Sequence, residues 1–206
     1  MAAVGTDVFY DNYSGIKLNN MMSYVEDVWE SNIEDGSGSY EALFDVYTST
    51  EVPDSSLCQS CSLRDRTNDI DDWLYNNWGS YNTYDVILVA DYYEDVSQSF
   101  WGIAQQTAGT SRNKCAVVDV DDIESTSGAW SNEKSEGVAA HEVLHMFMDE
   151  SNSEHFPRLD SSGDATLSYD AGDIAAYCGS EYNVDTVIKD ISSCVEYKVR
   201  NWIDNN

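Results

Sequence analysis

The sequence predicts an α+β domain, α/β-like in the order of its elements, with about five strands, a helix bearing a histidine motif, and a C-terminal helix. Three observations predict it. First, short β-branched or alternating runs at 7–10, 42–47, 84–90, 101–105 and 115–120 are interleaved with stretches whose apolar residues recur at helical spacing. Second, 42% hydrophobic and 12% aromatic residues in a chain of 206 supply a core despite heavy charge. Third, the chain shows no internal repeat, no low-complexity tract and no apolar run long enough to cross a bilayer. The length suits one domain, 1–206, with an N-terminal sheet lobe over about 1–148 and a small C-terminal lobe over about 149–206.

The elements follow in order. Residues 7–10 read as a short strand. Residues 18–30 place Met21, Met22, Val25, Val28 and Trp29 on one face of an amphipathic helix. Residues 42–47 form a second strand, and 51–67, with Pro53, several serines and a C-x-x-C, read as a loop. Ile70, Trp73, Leu74 and Trp78 line up on a helix over 69–78, and 79–83 are turn-like. The run 84–90 is the strongest strand signal, 101–105 is weaker, and 115–120 is a further strand. Val138, Ala139, Val143, Leu144, Phe147 and Met148 give 135–148 an apolar face that can dock on a sheet. Residues 149–172 are polar and irregular, and a last helix spans 184–202 on Val187, Ile188, Ile191, Val195 and Val199.

Ten basic residues against 38 acidic ones leave a net charge of −28, dispersed along the chain rather than gathered in a tail. Such a coat is expected of a protein adapted to concentrated salt, where counterions screen self-repulsion. It excludes nucleic acid and anionic membranes as natural partners. The start Met-Ala-Ala-Val-Gly lacks the basic and apolar regions of a signal peptide, so secretion would imply a mature form. Of the five cysteines, Cys58 and Cys61 have no second pair at similar spacing to complete a structural zinc site, and a local disulfide or two free thiols are expected there. Cys178 and Cys194 could bridge a loop to the last helix. The fifth cysteine is Cys115, and the odd count leaves at least one thiol unpaired within the monomer, with the pairing open.

The chemistry concentrates in one place. The chain has three histidines, and two of them form His141-Glu142-Val143-Leu144-His145. Positions four apart lie on one face of a helix, so two neutral imidazoles can hold one zinc ion, with Glu142 between them to act on a water at the metal. A catalytic zinc needs a third protein ligand and an open position. His155 is the candidate, reached through a polar, helix-breaking segment; the rivals are Asp149, Glu150, Asp160 and Asp164. Glu142 is expected to take a proton from the water and pass it to a leaving amine.

With these residues in view, the chain resembles the metzincin clan of zinc peptidases. The element order is similar to the clan's core. Gly102-Ile103-Ala104, then Ala108-Gly109 and 115–120, look like its G-x-A edge strand and the strand that follows. The resemblance implies a twisted mixed sheet whose edge strand binds an extended peptide through free backbone groups. Ala165-Thr166-Leu167-Ser168-Tyr169 resembles the clan's tight Met-turn beneath the metal. That likeness implies a role for Tyr169 as a donor to the oxyanion of the tetrahedral intermediate. The chain departs from the clan's motif at three points. Met148 stands where a glycine is usual, Ser151 where the third ligand is usual, and Leu167 in place of the turn methionine. A longer helix or a different turn past the motif follows from the first departure.

The expectation is therefore a secreted, salt-adapted, monomeric zinc endopeptidase acting on protein or peptide substrates. One alternative is a thermolysin-like zinc peptidase with an acidic third ligand. Another is a non-enzymatic, metal-stabilised binding module, whose site would be closed by four protein ligands. The acidic stretch from Asp160 to Asp173 is a candidate calcium loop without EF-hand spacing.

Overall fold

The structure is a computed structural model that describes residues 4–11, 15–46, 52–78, 86–91, 102–105, 114–119, 131–147, 158–159, 165–168, 187–191 and 193–205. Five strands form the main sheet: β1 (Val4–Asp11), β2 (Ala42–Val46), β3 (Val86–Asp91), β4 (Gly102–Gln105) and β5 (Lys114–Asp119), in spatial order β2-β1-β3-β5-β4. The pairs β1–β2, β1–β3 and β3–β5 are parallel, and β4 runs antiparallel to β5 at the edge. The expected mixed sheet of about five strands is thus present.

Strand alternation explains the layering. Leu88, Ala90, Ala116 and Val118 point to one face and pack into a core with helices α1 (Gly15–Asn32), α3 (Ser131–His145) and α4 (Ser193–Asn205). Ile87, Val89, Cys115 and Val117 point to the other face and meet Leu63, Ile70 and Leu74 of helix α2 (Leu63–Trp78). Parallel strands covered on both faces need apolar residues at every position, which is why 86–90 reads as a continuous hydrophobic run.

Helix α1 buries Leu18, Met21, Met22, Val25, Val28 and Trp29, the stripe its spacing predicts. Its C-terminal carbonyls need donors. Arg200 of α4 supplies them, donating to the carbonyls of Ile33 at 2.8 Å, Asn32 at 3.3 Å and Glu34 at 3.4 Å. The chain then reverses toward β2 through Gly36 and Gly38, both at φ of 74°, a region that glycine enters without a Cβ clash.

Four expectations need correction. Helix α2 begins at Leu63, inside the stretch read as loop, because Ser62 caps it. Its Oγ accepts from the Asp65 amide at 3.2 Å and donates to the Asp65 carboxylate at 2.9 Å. The segment read as irregular over 149–172 contains two short strands, β6 (Arg158–Leu159) and β7 (Ala165–Ser168). The final helix does not start near 184. Val187–Ile191 is strand β8, paired parallel to β7, and α4 begins at Ser193. Its valine and isoleucines fit strand as well as helix spacing, and pairing with β7 decides between them. The motif helix runs Ser131–His145 rather than 135–148.

Cys58 and Cys61 are joined by a disulfide, and Cys115 is a buried free thiol. The Cys58–Cys61 loop is tied to α2 at both backbone groups of Cys58. Its amide donates to Asp69 at 2.9 Å, and its carbonyl accepts from Arg66 at 2.9 Å. Cys178 lies outside the described residues.

Candidate metal centre

The motif occupies the last turn and a half of α3. That helix is packed between the sheet and α1, with Ala139, Ala140, Val143 and Leu144 buried in the shared core. The opposite stripe of the same turns carries His141 and His145. Their Nε2 atoms lie 3.0 Å apart, with the rings edge-on at 74° and centroids 4.7 Å apart. Together with Glu142 they form a group whose donor atoms all lie within 4.8 Å of one another. His141 and Glu142 are each only 8% exposed, and His145 is half-buried.

Two nitrogens bound tetrahedrally to zinc, each about 2.0–2.1 Å from the metal, stand about 3.3 Å apart. The observed 3.0 Å differs by a few tenths of an ångström, which small side-chain rotations absorb. Two borderline-soft imidazoles and a carboxylate suit zinc in kind as well as in spacing. The donor set therefore fits the ion.

The chain leaves the helix directly after His145. Met146 N–H bonds back to Val143 O, and Phe147 N–H to Leu144 O, both at 3.1 Å, a tightened final turn. Of the two outcomes expected from Met148 replacing a glycine, the longer helix is not seen, since the helix ends at His145, and the turn from Met148 onward lies outside the described residues. Phe147, fully buried, anchors the tightened turn edge-on against Trp29 of α1 at 5.1 Å and Trp202 of α4 at 5.4 Å. Such aromatic pairs contribute about 0.5–1.5 kcal/mol each beyond their burial. They fix where the chain emerges beyond the motif.

Glu142 is held from the sheet side. The Ala104 backbone amide on edge strand β4 donates to its carboxylate. Burial pushes the Glu142 carboxyl up from 4.5 to about 8, against the opposing pull of that amide. Without a nearby cation the group is therefore mostly protonated at neutral pH. A divalent ion at the imidazoles would favour the carboxylate.

His155 and Tyr169 lie outside the described residues, as do the rival ligands Asp149, Glu150, Asp160 and Asp164. Most of the candidate calcium loop lies there too. Leu167 sits in strand β7, where the pairing with β8 slips between Thr166 and Ser168. The backbone at 165–168 is thus an irregular strand and not the tight turn the resemblance implied. Strand β7 runs beside α3, so this segment does approach the motif helix.

Two features of the site escaped the sequence reading. The Ala104 amide was invisible as a donor because backbone groups carry no residue signature, although Gly102-Ile103-Ala104 marked the right strand. The anchoring of Phe147 was visible only as one more apolar position.

No family model and no curated protein matches the chain. Among solved structures it is similar to archaemetzincin from Methanopyrus kandleri, with a TM-score of 0.55 and 12% sequence identity, covering 98% of this chain and 97% of that one. At that identity the likeness is one of architecture, and it supports a metallopeptidase-like fold.

Proposed function

We propose that the protein is a zinc-dependent endopeptidase. The observation that carries this reading is the convergence of the His141 and His145 Nε2 atoms, 3.0 Å apart, beside a buried glutamate bonded to the sheet edge. The archaemetzincin-like fold supports it at the level of class.

His141 and His145 would hold the zinc, with His155 as third ligand. A zinc ion there would supply a Lewis acid and make a water more acidic. Glu142 accepts a proton from the attacking water on its carboxylate and delivers it to the leaving amine. Strand β4, at the edge of the sheet among the described residues, would offer backbone hydrogen bonds to an extended peptide and so orient it beside Glu142. Tyr169 donates its phenolic proton to the oxyanion of the tetrahedral intermediate. The substrate lies between the sheet lobe and the C-terminal lobe. The acidic coat suits work in concentrated salt outside the cell.

The proximity of Glu142 to both imidazoles supports a second reading, in which it closes a structural site. Cleavage of unfolded casein by the pure protein discriminates. The proposal expects cleavage that disappears after chelation and returns with one equivalent of zinc per chain. Tight zinc binding with no cleavage of any peptide would favour the binding module instead.

A further inference from the structure

The disulfide between Cys58 and Cys61 closes a short loop on the α2 side of the sheet, the side away from the zinc donors. Gln59 and Ser60 at the tip of the loop are exposed, and the two cysteines are half-buried, so the bridge is reached from solvent. Cys115, on the same side of the sheet, is fully buried. The loop is seated by contacts that do not involve the bridge. Leu57 packs in the apolar cluster with Val52 and Leu63. The Cys58 amide donates to the Asp69 carboxylate and its carbonyl accepts from Arg66, each at 2.9 Å. On the other flank Ser62 caps α2 through the Asp65 amide. The Cα atoms of Cys58 and Cys61 are 5.9 Å apart, within the span a disulfide bridges.

We propose that Cys58–Cys61 is a reversible thiol–disulfide exchange site, opened by small dithiols and closed again by small disulfides. This chemistry needs nothing from the zinc site. A thiolate of the dithiol attacks one cysteine sulfur, a mixed disulfide forms, and the other cysteine leaves as a thiolate. The second thiolate of the dithiol then attacks its own sulfur in the mixed disulfide. That closes a cyclic disulfide and releases the remaining cysteine thiolate. The two cysteine thiolates take up the two protons the dithiol gave up, so two electrons and two protons pass to the protein. A small disulfide runs the same steps in reverse. Access is the first reason to place exchange here, because the nucleophile must reach a sulfur and exposed bridges are the labile ones. Seating is the second. With the flanks held by Asp69, Arg66, Leu57 and Ser62, the opened thiols stay at bridging distance, and closure is an intramolecular step between oriented groups. The buried Cys115 thiol is out of reach of the same reagents and does not divert the exchange. Opening the bridge frees the unfolded chain more than it changes the native loop. The opposite face of the sheet, with His141 and His145, is left as it is.

The test is alkylation of the native full chain with and without prior dithiothreitol, followed by peptide mass mapping. The expected result is that dithiothreitol makes Cys58 and Cys61 reactive together at unchanged far-ultraviolet circular dichroism, while Cys115 stays unmodified. Oxidised glutathione should then restore the bridge with no glutathione left on either cysteine. Reaction of the pair only in denaturant, at the point where Cys115 also reacts, overturns the proposal. So does reaction without dithiothreitol, or glutathione retained as a lasting mixed disulfide. A second arm compares unfolding of the oxidised protein with that of the reduced protein and of the double variant Cys58→Ser/Cys61→Ser. Both are expected to unfold about 4 to 8 °C lower than the oxidised protein. Zinc affinity is read on the double variant, because dithiols themselves bind the metal, and should stay within about twofold of wild type. An unchanged Tm, or a zinc affinity altered more than about tenfold, counts against the proposal. If the double variant does not fold, alkylation of the wild type decides.

Discussion

Asp91 and Glu142 are two carboxylates buried on opposite faces of one sheet, and they are compensated in opposite ways. Asp91, at the end of β3, is fully buried and gripped in bidentate fashion by Arg66 of α2, itself 1% exposed. Arg66 also donates to the Cys58 carbonyl, so the pair ties together strand, helix and disulfide loop. Glu142 stands beside two imidazoles, with one backbone amide pulling its carboxyl down and burial pushing it up to about 8. The first arrangement is closed and holds the fold together. The second leaves a buried group whose charge is favoured only when a cation arrives. That difference marks the site.

The comparison can be broken first on the structural side. Arg66→Ala leaves Asp91 buried and uncompensated, and should cost about 3–5 kcal/mol in urea denaturation while the zinc donors stay intact. A loss under 1 kcal/mol would remove the claimed difference between the two faces.

The second prediction concerns pH. The folded Glu142 carboxyl titrates at about 8, above its ordinary 4.5. The native state therefore holds a proton that the unfolded state releases between those values. Stability of the metal-free protein should fall as pH rises through this window and flatten above it. Relative to Glu142→Gln, which carries no such proton, the loss between pH 5 and pH 8 should be about 3 kcal/mol by denaturant titration. Saturating zinc should remove the slope. Parallel curves for the two metal-free proteins would show that Glu142 is not held as described.

His141→Ala should weaken zinc binding by at least about 100-fold in calorimetric titration, equivalent to about 2.7 kcal/mol, with little change in thermal unfolding of the metal-free protein. The smallest effect expected is that of Ser62→Ala. Losing the α2 cap should cost about 1 kcal/mol and leave zinc affinity untouched.

How much of this was legible in the sequence depended on whether the signal was local. The stripe of α1, the continuous run of β3 and the His141–Glu142–His145 spacing are set by a few consecutive turns or strand residues, and all were readable. The start of α2 was also local, written in Ser62-Leu63-Arg64-Asp65, but Pro53 and the cysteines outweighed it. Strand β8 was not legible, because Val187, Ile188 and Ile191 satisfy both periodicities until β7 supplies a partner. The bidentate grip of Arg66 on Asp91, 25 residues away, and the amide of Ala104 on Glu142 are products of sheet order, which no spacing in the chain announces.

The most direct measurement is casein hydrolysis in molar salt by the zinc-loaded wild type and Glu142→Ala, side by side and at matched zinc content. The account predicts measurable turnover in the wild type and a loss of at least about 100-fold in the variant, with zinc retained. Equal turnover in both would contradict Glu142 as the base. No turnover in a folded, zinc-loaded wild type would contradict the peptidase itself.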